Sequence, residues 1–86
     1  MVVQINFSDD SVDPHGTQVD VPLGHSVELD VTADAAGEIH VHTDPAQSAA
    51  YGVGTTRISL GAFDIPGQFV VESHTLGKTI VTLEVR

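Results

Sequence analysis

Apolar and polar residues alternate one by one along most of this chain. Between Ser26 and Ala33, Val27, Leu29 and Val31 fall on one side of an extended strand, and Glu28, Asp30 and Thr32 fall on the other. That pattern belongs to a strand with one face on a core and one in water. The same period of two predicts strands over Val2 to Phe7, Thr17 to Val21, Ser26 to Ala33, Glu38 to His42, Thr55 to Leu60, Gln68 to His74 and Thr79 to Val85. No window of helical length carries an apolar stripe. Turn residues punctuate the runs. In Pro22-Leu23-Gly24-His25, proline presets φ and glycine accepts a positive one. Asp34-Ala35-Ala36-Gly37 and Ile65-Pro66-Gly67 turn the chain again, and Leu76-Gly77 suits a hairpin between the last two strands. The longest connection, Asp44 to Gly54, predicts a lid or crossover with a short helical turn around Pro45 to Ala50. Together these elements predict an all-β fold, a seven-stranded Greek-key β-sandwich forming a single domain over residues 1-86.

Size and charge narrow what such a sandwich can do. A chain of 86 residues buries only about 60% of the surface its unfolded form exposes, which leaves little room for a deep substrate cavity. Twelve acidic residues against three basic ones give a net charge of −9. Arg57, Lys78 and Arg86 cannot neutralise a phosphate backbone, so nucleic acid and anionic membrane are excluded as partners, while cations and basic proteins remain. With no cysteine there is neither a disulfide framework nor a thiolate metal site. No run reaches the ~18 apolar residues of a membrane span. Met1-Val2-Val3-Gln4-Ile5 lacks a leader's charged and apolar regions, which predicts a cytoplasmic chain or one whose leader is removed.

Five histidines are the feature that asks for a chemical reason. In Glu38-Ile39-His40-Val41-His42, strand alternation puts Glu38, His40 and His42 on one face and Ile39 and Val41 on the other. In Val70-Val71-Glu72-Ser73-His74 it groups Glu72 and His74 with Val70. If these two strands pair antiparallel, imidazoles and a carboxylate come within reach of one cation, and His40, His42, Glu72 and His74 are the candidate metal ligands. Imidazole and carboxylate donors without sulfur suit Cu(II), Zn(II) or Ni(II), and affinity order favours copper. Two same-face histidines also occur on plain solvated sheets, and Glu72 taken alone reads as a solvated carboxylate. Because an imidazole ligates only when neutral, metal binding should weaken below about pH 6.5. Val70 and Val71 are both apolar, so alternation leaves open whether Glu72 points between the sheets or outward.

The remaining candidates carry less. His15 and His25 sit in loop and turn positions with no partner in view, and Tyr51 reads as core filling. Asp9, Asp10 and Asp13 lack the glycine and terminal glutamate of a calcium loop and read as a solvated segment. Asn6-Phe7-Ser8 matches a glycosylation acceptor but falls inside a predicted strand. Ser48, Ser59 and Ser73 lie in no nucleophile elbow, and no glycine loop cradles a phosphate, so hydrolytic and phosphoryl-transfer chemistry find no support.

The order of these motifs resembles the cupredoxins, in particular small bacterial cupredoxin-like domains. The resemblance runs over about residues 17 to 86. It is carried by Pro22 to Leu29, by Asp34 to His42, by Phe63-Asp64-Ile65-Pro66-Gly67-Gln68-Phe69-Val70-Val71-Glu72-Ser73-His74, and by Thr82 to Arg86. The Pro-Gly-x-Phe lead-in to the penultimate strand and the histidine of the middle strand are its most specific parts. In copper-binding cupredoxins one histidine comes from the middle strand, while a cysteine, a second histidine and usually a methionine come from the end of the penultimate strand and the loop after it. Carried over, His40 matches the first histidine, Glu72 falls at or near the cysteine position, and His74 stands for the second histidine. The methionine has no counterpart, since Met1 is at the wrong end, and the loop from His74 to Lys78 is short for the family's ligand spacing. Without a thiolate, the resemblance implies neither intense blue colour nor a tuned electron-transfer centre.

Two functions from different classes follow. One is a metal-binding module, copper first, that stores, delivers or senses the ion. The other is a metal-free structural or interaction domain that uses its acidic surface against a basic partner protein. An enzyme built on a copper with an open position ranks below both. The resemblance implies a periplasmic or extracellular location.

Overall fold

Nine strands and no helix make up the computed structural model, which describes residues 1–86. In chain order they are β1 (Val2–Ser8), β2 (Ser11–Asp13), β3 (Thr17–Val21), β4 (Ser26–Ala33), β5 (Gly37–Val41), β6 (Gln47–Tyr51), β7 (Gly54–Ala62), β8 (Gly67–Ser73) and β9 (Lys78–Val85). They form a four-stranded sheet in the order β2-β1-β4-β7 and a five-stranded sheet in the order β3-β9-β8-β5-β6. Each sheet is mixed, with β1 parallel to β4 and β3 parallel to β9.

The alternation read from the sequence is the alternation of burial. Val27, Leu29 and Val31 of β4 are fully buried, and the parallel partner β1 sets Val3 beside Leu29 and Ile5 beside Val31 on the same inner face. From the other sheet, Val21, Ile39, Val41, Val71, Val81, Leu83 and Val85 close the core. Tyr51 does fill the core, its ring stacked on Phe7 with centroids 4.8 Å apart. In the turn Pro22-Leu23-Gly24-His25, Gly24 has φ of 87°, and the His25 amide donates to the Pro22 carbonyl at 3.1 Å.

Two strands lie beyond the seven the pattern predicts. Ser11–Asp13 forms a three-residue edge strand on β1, with Val12 buried opposite Phe7. Three residues are too few for a period to be legible. The connection from Asp44 to Gly54 holds no helical turn around Pro45 to Ala50. Gln47–Tyr51 is instead a strand, paired antiparallel along the whole of β5. Alanine and serine have little intrinsic preference for a strand; pairing with β5, which gives this stretch its ladder partners, overrides that weak signal. The segment works as a crossover, carrying the chain from the edge of one sheet to β7 in the other, and not as a lid.

The phase of β8 is also resolved. Val71 and Ser73 point inward and Glu72 points outward, because Val71 pairs with the buried Val41 on one side and the buried Val81 on the other. A bulge between Val71 and Glu72 sets Ile80 as an extra residue of β9, which is how Ile80 and Val81 are both buried in succession.

Candidate metal centre

The predicted juxtaposition exists. Strands β5 and β8 are antiparallel neighbours, with Ile39 opposite Ser73, His40 opposite Glu72 and Val41 opposite Val71. The main-chain ladder extends one residue past each end of these pairs, since the His42 amide donates to the Val70 carbonyl at 2.9 Å and the His74 amide to the Glu38 carbonyl at 3.0 Å. With Ile39, Val41, Val71 and Ser73 buried, Glu38, His40, His42, Glu72 and His74 share the outer, polar face of the five-stranded sheet. Glu72 therefore does not point between the sheets, the alternative that alternation leaves open; the inward residue at that end of β8 is Ser73, whose hydroxyl accepts the Leu76 amide at 3.0 Å.

Within this patch the side chains engage one another diagonally across the strands. His42 Nε2 lies 2.5 Å from Glu72 Oε1, and the His40 ring stacks on the His74 ring with centroids 4.6 Å apart and planes 13° from parallel. Along β5 itself, His40 Nε2 lies 2.6 Å from Glu38 Oε1. His40 in β5 and His42 just after it are thus each held by one carboxylate. Glu38 is the participant that the ligand assignment omits, although the period of two already sets it on the face of His40 and His42. His15 and His25 join no cluster.

These contacts decide what the patch can hold as it stands. An imidazole offers a lone pair in the plane of its ring, and two stacked rings whose planes lie 13° apart share no in-plane point within bonding distance of both. No three of the His, Asp and Glu side chains converge in metal-ligating geometry. A thiolate copper centre does not fit these residues, since the chain has no cysteine and its single methionine precedes β1 in the other sheet. The donor set that is present, imidazole nitrogen and carboxylate oxygen, fits the chemistry of Cu(II) and of Zn(II) or Ni(II).

Beside the patch, β5 begins at a crowded point. A Cβ on Gly37 would come 2.6 Å from Tyr51 Cζ and 2.8 Å from Thr75 Oγ1, so only glycine lets the Tyr51 ring pass here. The same Thr75 hydroxyl accepts the Glu38 amide at 3.3 Å. Burial pushes the Tyr51 phenol above its usual range and Asp34 adds to this, while hydrogen bonding to Thr75 works in the opposite direction.

No protein-family model matches the chain, and no curated protein matches it in sequence. Solved structures do match in shape. A multicopper oxidase aligns over 100% of this chain at 18% identity with a TM-score of 0.63, and the chain spans only 43% of that protein. A reduced Cu(I) form of an amicyanin mutant aligns over 99% of this chain and 82% of its own at 10% identity, with a TM-score of 0.70. A purple cupredoxin from Nitrosopumilus maritimus aligns over 96% of this chain and 98% of its own at 14% identity, with a TM-score of 0.65. At these identities the likeness is one of architecture, and with two mixed sheets in the same arrangement the chain has the cupredoxin fold.

Proposed function

We propose that this chain is a small cupredoxin-like metal-binding module that takes up Cu(II) through His40, His42, Glu72 and His74, and that it is not a blue-copper electron carrier. The observation that carries the reading is the register of β5 on β8, which gathers four nitrogen- and oxygen-bearing side chains into one exposed patch. A bound Cu(II) supplies a strong positive charge to a molecule of net charge −9. His40 and His42 must release Glu38 and Glu72, and the stack of His40 on His74 must open. Side chains on an exposed face rearrange in this way within nanoseconds. The patch is therefore less preorganised than a closed centre and is expected to bind correspondingly less tightly. The module binds rather than catalyses, and the fold likeness to cupredoxins supports work outside the cytoplasm.

Calorimetric titration of the metal-free protein with Cu(II), Zn(II) and Ni(II) tests this directly. The expected result is saturable heat, largest for Cu(II), with no intense blue colour on loading. Changes outside the ligand shell alone cost ~10–100-fold in metal affinity, so His40→Ala and His74→Ala should each weaken binding by at least that much. Heat that survives both substitutions puts the ion elsewhere, and no heat from any of the three metals overturns the metal reading.

A second reading, that the acidic surface docks a basic partner protein, is favoured by one observation. All three basic side chains are engaged within the molecule: Arg57 with Glu28 and Asp30, Lys78 with the Asp10 carbonyl, and Arg86 beside Asp20. The surplus of carboxylates has no internal counter-charge.

A further inference from the structure

An open cavity of about 490 Å³ lies at the opposite end of β8 from His74, between the segment after β5, the end of β7 and the chain that leads into β8. Its floor is apolar. Leu60 and Phe63 are buried there, and Phe69 meets Phe63 edge to face at 5.3 Å. Its lip is not closed: Ile65 is 71% exposed, a large apolar side chain held in water. Asp44 and Asp64 also line the cavity, neither enters an ion pair, and no Lys or Arg lines it. The wall beneath them is braced from within, since Gln47 Nε2 donates to the Leu60 carbonyl at 3.4 Å and so ties β6 to β7.

We infer that this groove docks a basic peptide segment of a partner protein, one that inserts large apolar side chains between Phe69 and Ile65 and sets Lys or Arg against Asp44 and Asp64. The inference rests on the basic-partner reading above and is independent of copper. Charge complementarity selects the occupant. An apolar group alone would cover two carboxylates without a counter-charge, which is costly, and an acidic segment would be repelled by them and by the net −9 of the whole molecule. A volume of about 490 Å³ lies within the ~300–1,000 Å³ of sites that enclose small ligands, so the groove has room for more than one side chain. Apolar contacts with Phe69 and Ile65 supply affinity, and the two carboxylates set the sign of the partner.

The test is an NMR titration of the isotopically labelled full chain with acetyl-Lys-Leu-Phe-Lys-amide. The matched peptides acetyl-Glu-Leu-Phe-Glu-amide and acetyl-Lys-Ser-Ser-Lys-amide separate charge from apolar content. The expected result is saturable shifts of the Gln47, Ala62, Ile65 and Phe69 amides with the first peptide and much weaker ones with the other two. The double variant Asp44→Asn, Asp64→Asn should raise Kd about fivefold, the scale of two exposed charge contacts, and Ile65→Ser should raise it as well. All three positions are exposed, so these variants keep the fold. Equal binding of the acidic or the serine peptide, or an unchanged Kd in the variants, overturns the groove assignment. Shifts confined to the His40 and Glu72 face overturn it too, but leave the basic-partner reading standing. No shift with either basic peptide overturns both.

Discussion

Tyr51 is the only tyrosine of the chain, so its ionisation can be followed by phenolate absorbance without interference. Packed on Phe7 and over Gly37, it is 6% exposed, and burial there disfavours the phenolate more than Thr75 favours it. The folded protein is therefore expected to titrate above the ordinary value of about 10, and the urea-unfolded protein at that value. Because the folded state holds this proton more tightly, the associated stability is fully present below about pH 10 and is lost as pH rises through the folded value. Thr75→Val removes a hydrogen bond that favours the phenolate, and should move the folded titration further up. A folded protein that titrates as the unfolded one does would mean that the ring is not packed in this way.

On β5 the two faces make opposite demands within consecutive residues. Ile39 is fully buried opposite Ser73, whereas His40 looks out on the polar face. In urea unfolding, Ile39→Ala is expected to cost roughly 2–5 kcal/mol, the range for emptying a buried aliphatic position. His40→Ala should cost less, about 1 kcal/mol, since it removes only the contacts of a half-buried ring with Glu38 and His74. This contrast was readable in advance, because Glu38-Ile39-His40-Val41-His42 alternates without a break. Strand β8 was less readable: Val70 and Val71 are adjacent apolar residues, and only pairing to Val41 and Val81 assigns Val71 to the core. Strand β6 was not readable at all, since Gln47-Ser48-Ala49-Ala50-Tyr51 owes its extended form to the edge of β5.

The whole molecule carries −9 on a body of 34 × 20 × 20 Å, so most of its carboxylates lie within a few Debye lengths of one another at low salt. Self-repulsion of this kind opposes the compact state. Adding NaCl is therefore expected to raise the melting temperature, since screening relieves more repulsion than it loses from a handful of exposed ion pairs such as Arg57 with Glu28. A melting temperature that falls with salt would mean that the internal pairs outweigh the net charge. The same field draws cations and basic segments toward both the histidine patch and the acidic-lipped groove at opposite ends of β8.

Much was decided by one-dimensional pattern alone. Period-two alternation and turn residues determined the all-β class, most of the strands, the inward faces of β1, β4 and β5, and the polar setting of His40 and His42; the absence of cysteine determined that no thiolate could bind a metal. Those properties are local, set by neighbours along the backbone. What the tertiary structure decided depends on residues distant in sequence. It set β5 beside β8 across 30 residues, turned Glu72 outward, gave His40 and His42 a carboxylate each instead of a shared point, and opened a groove between the segment after β5, the end of β7 and the lead-in to β8. Alternation specifies which way a side chain faces relative to its own strand, and only the pairing of strands specifies what it meets.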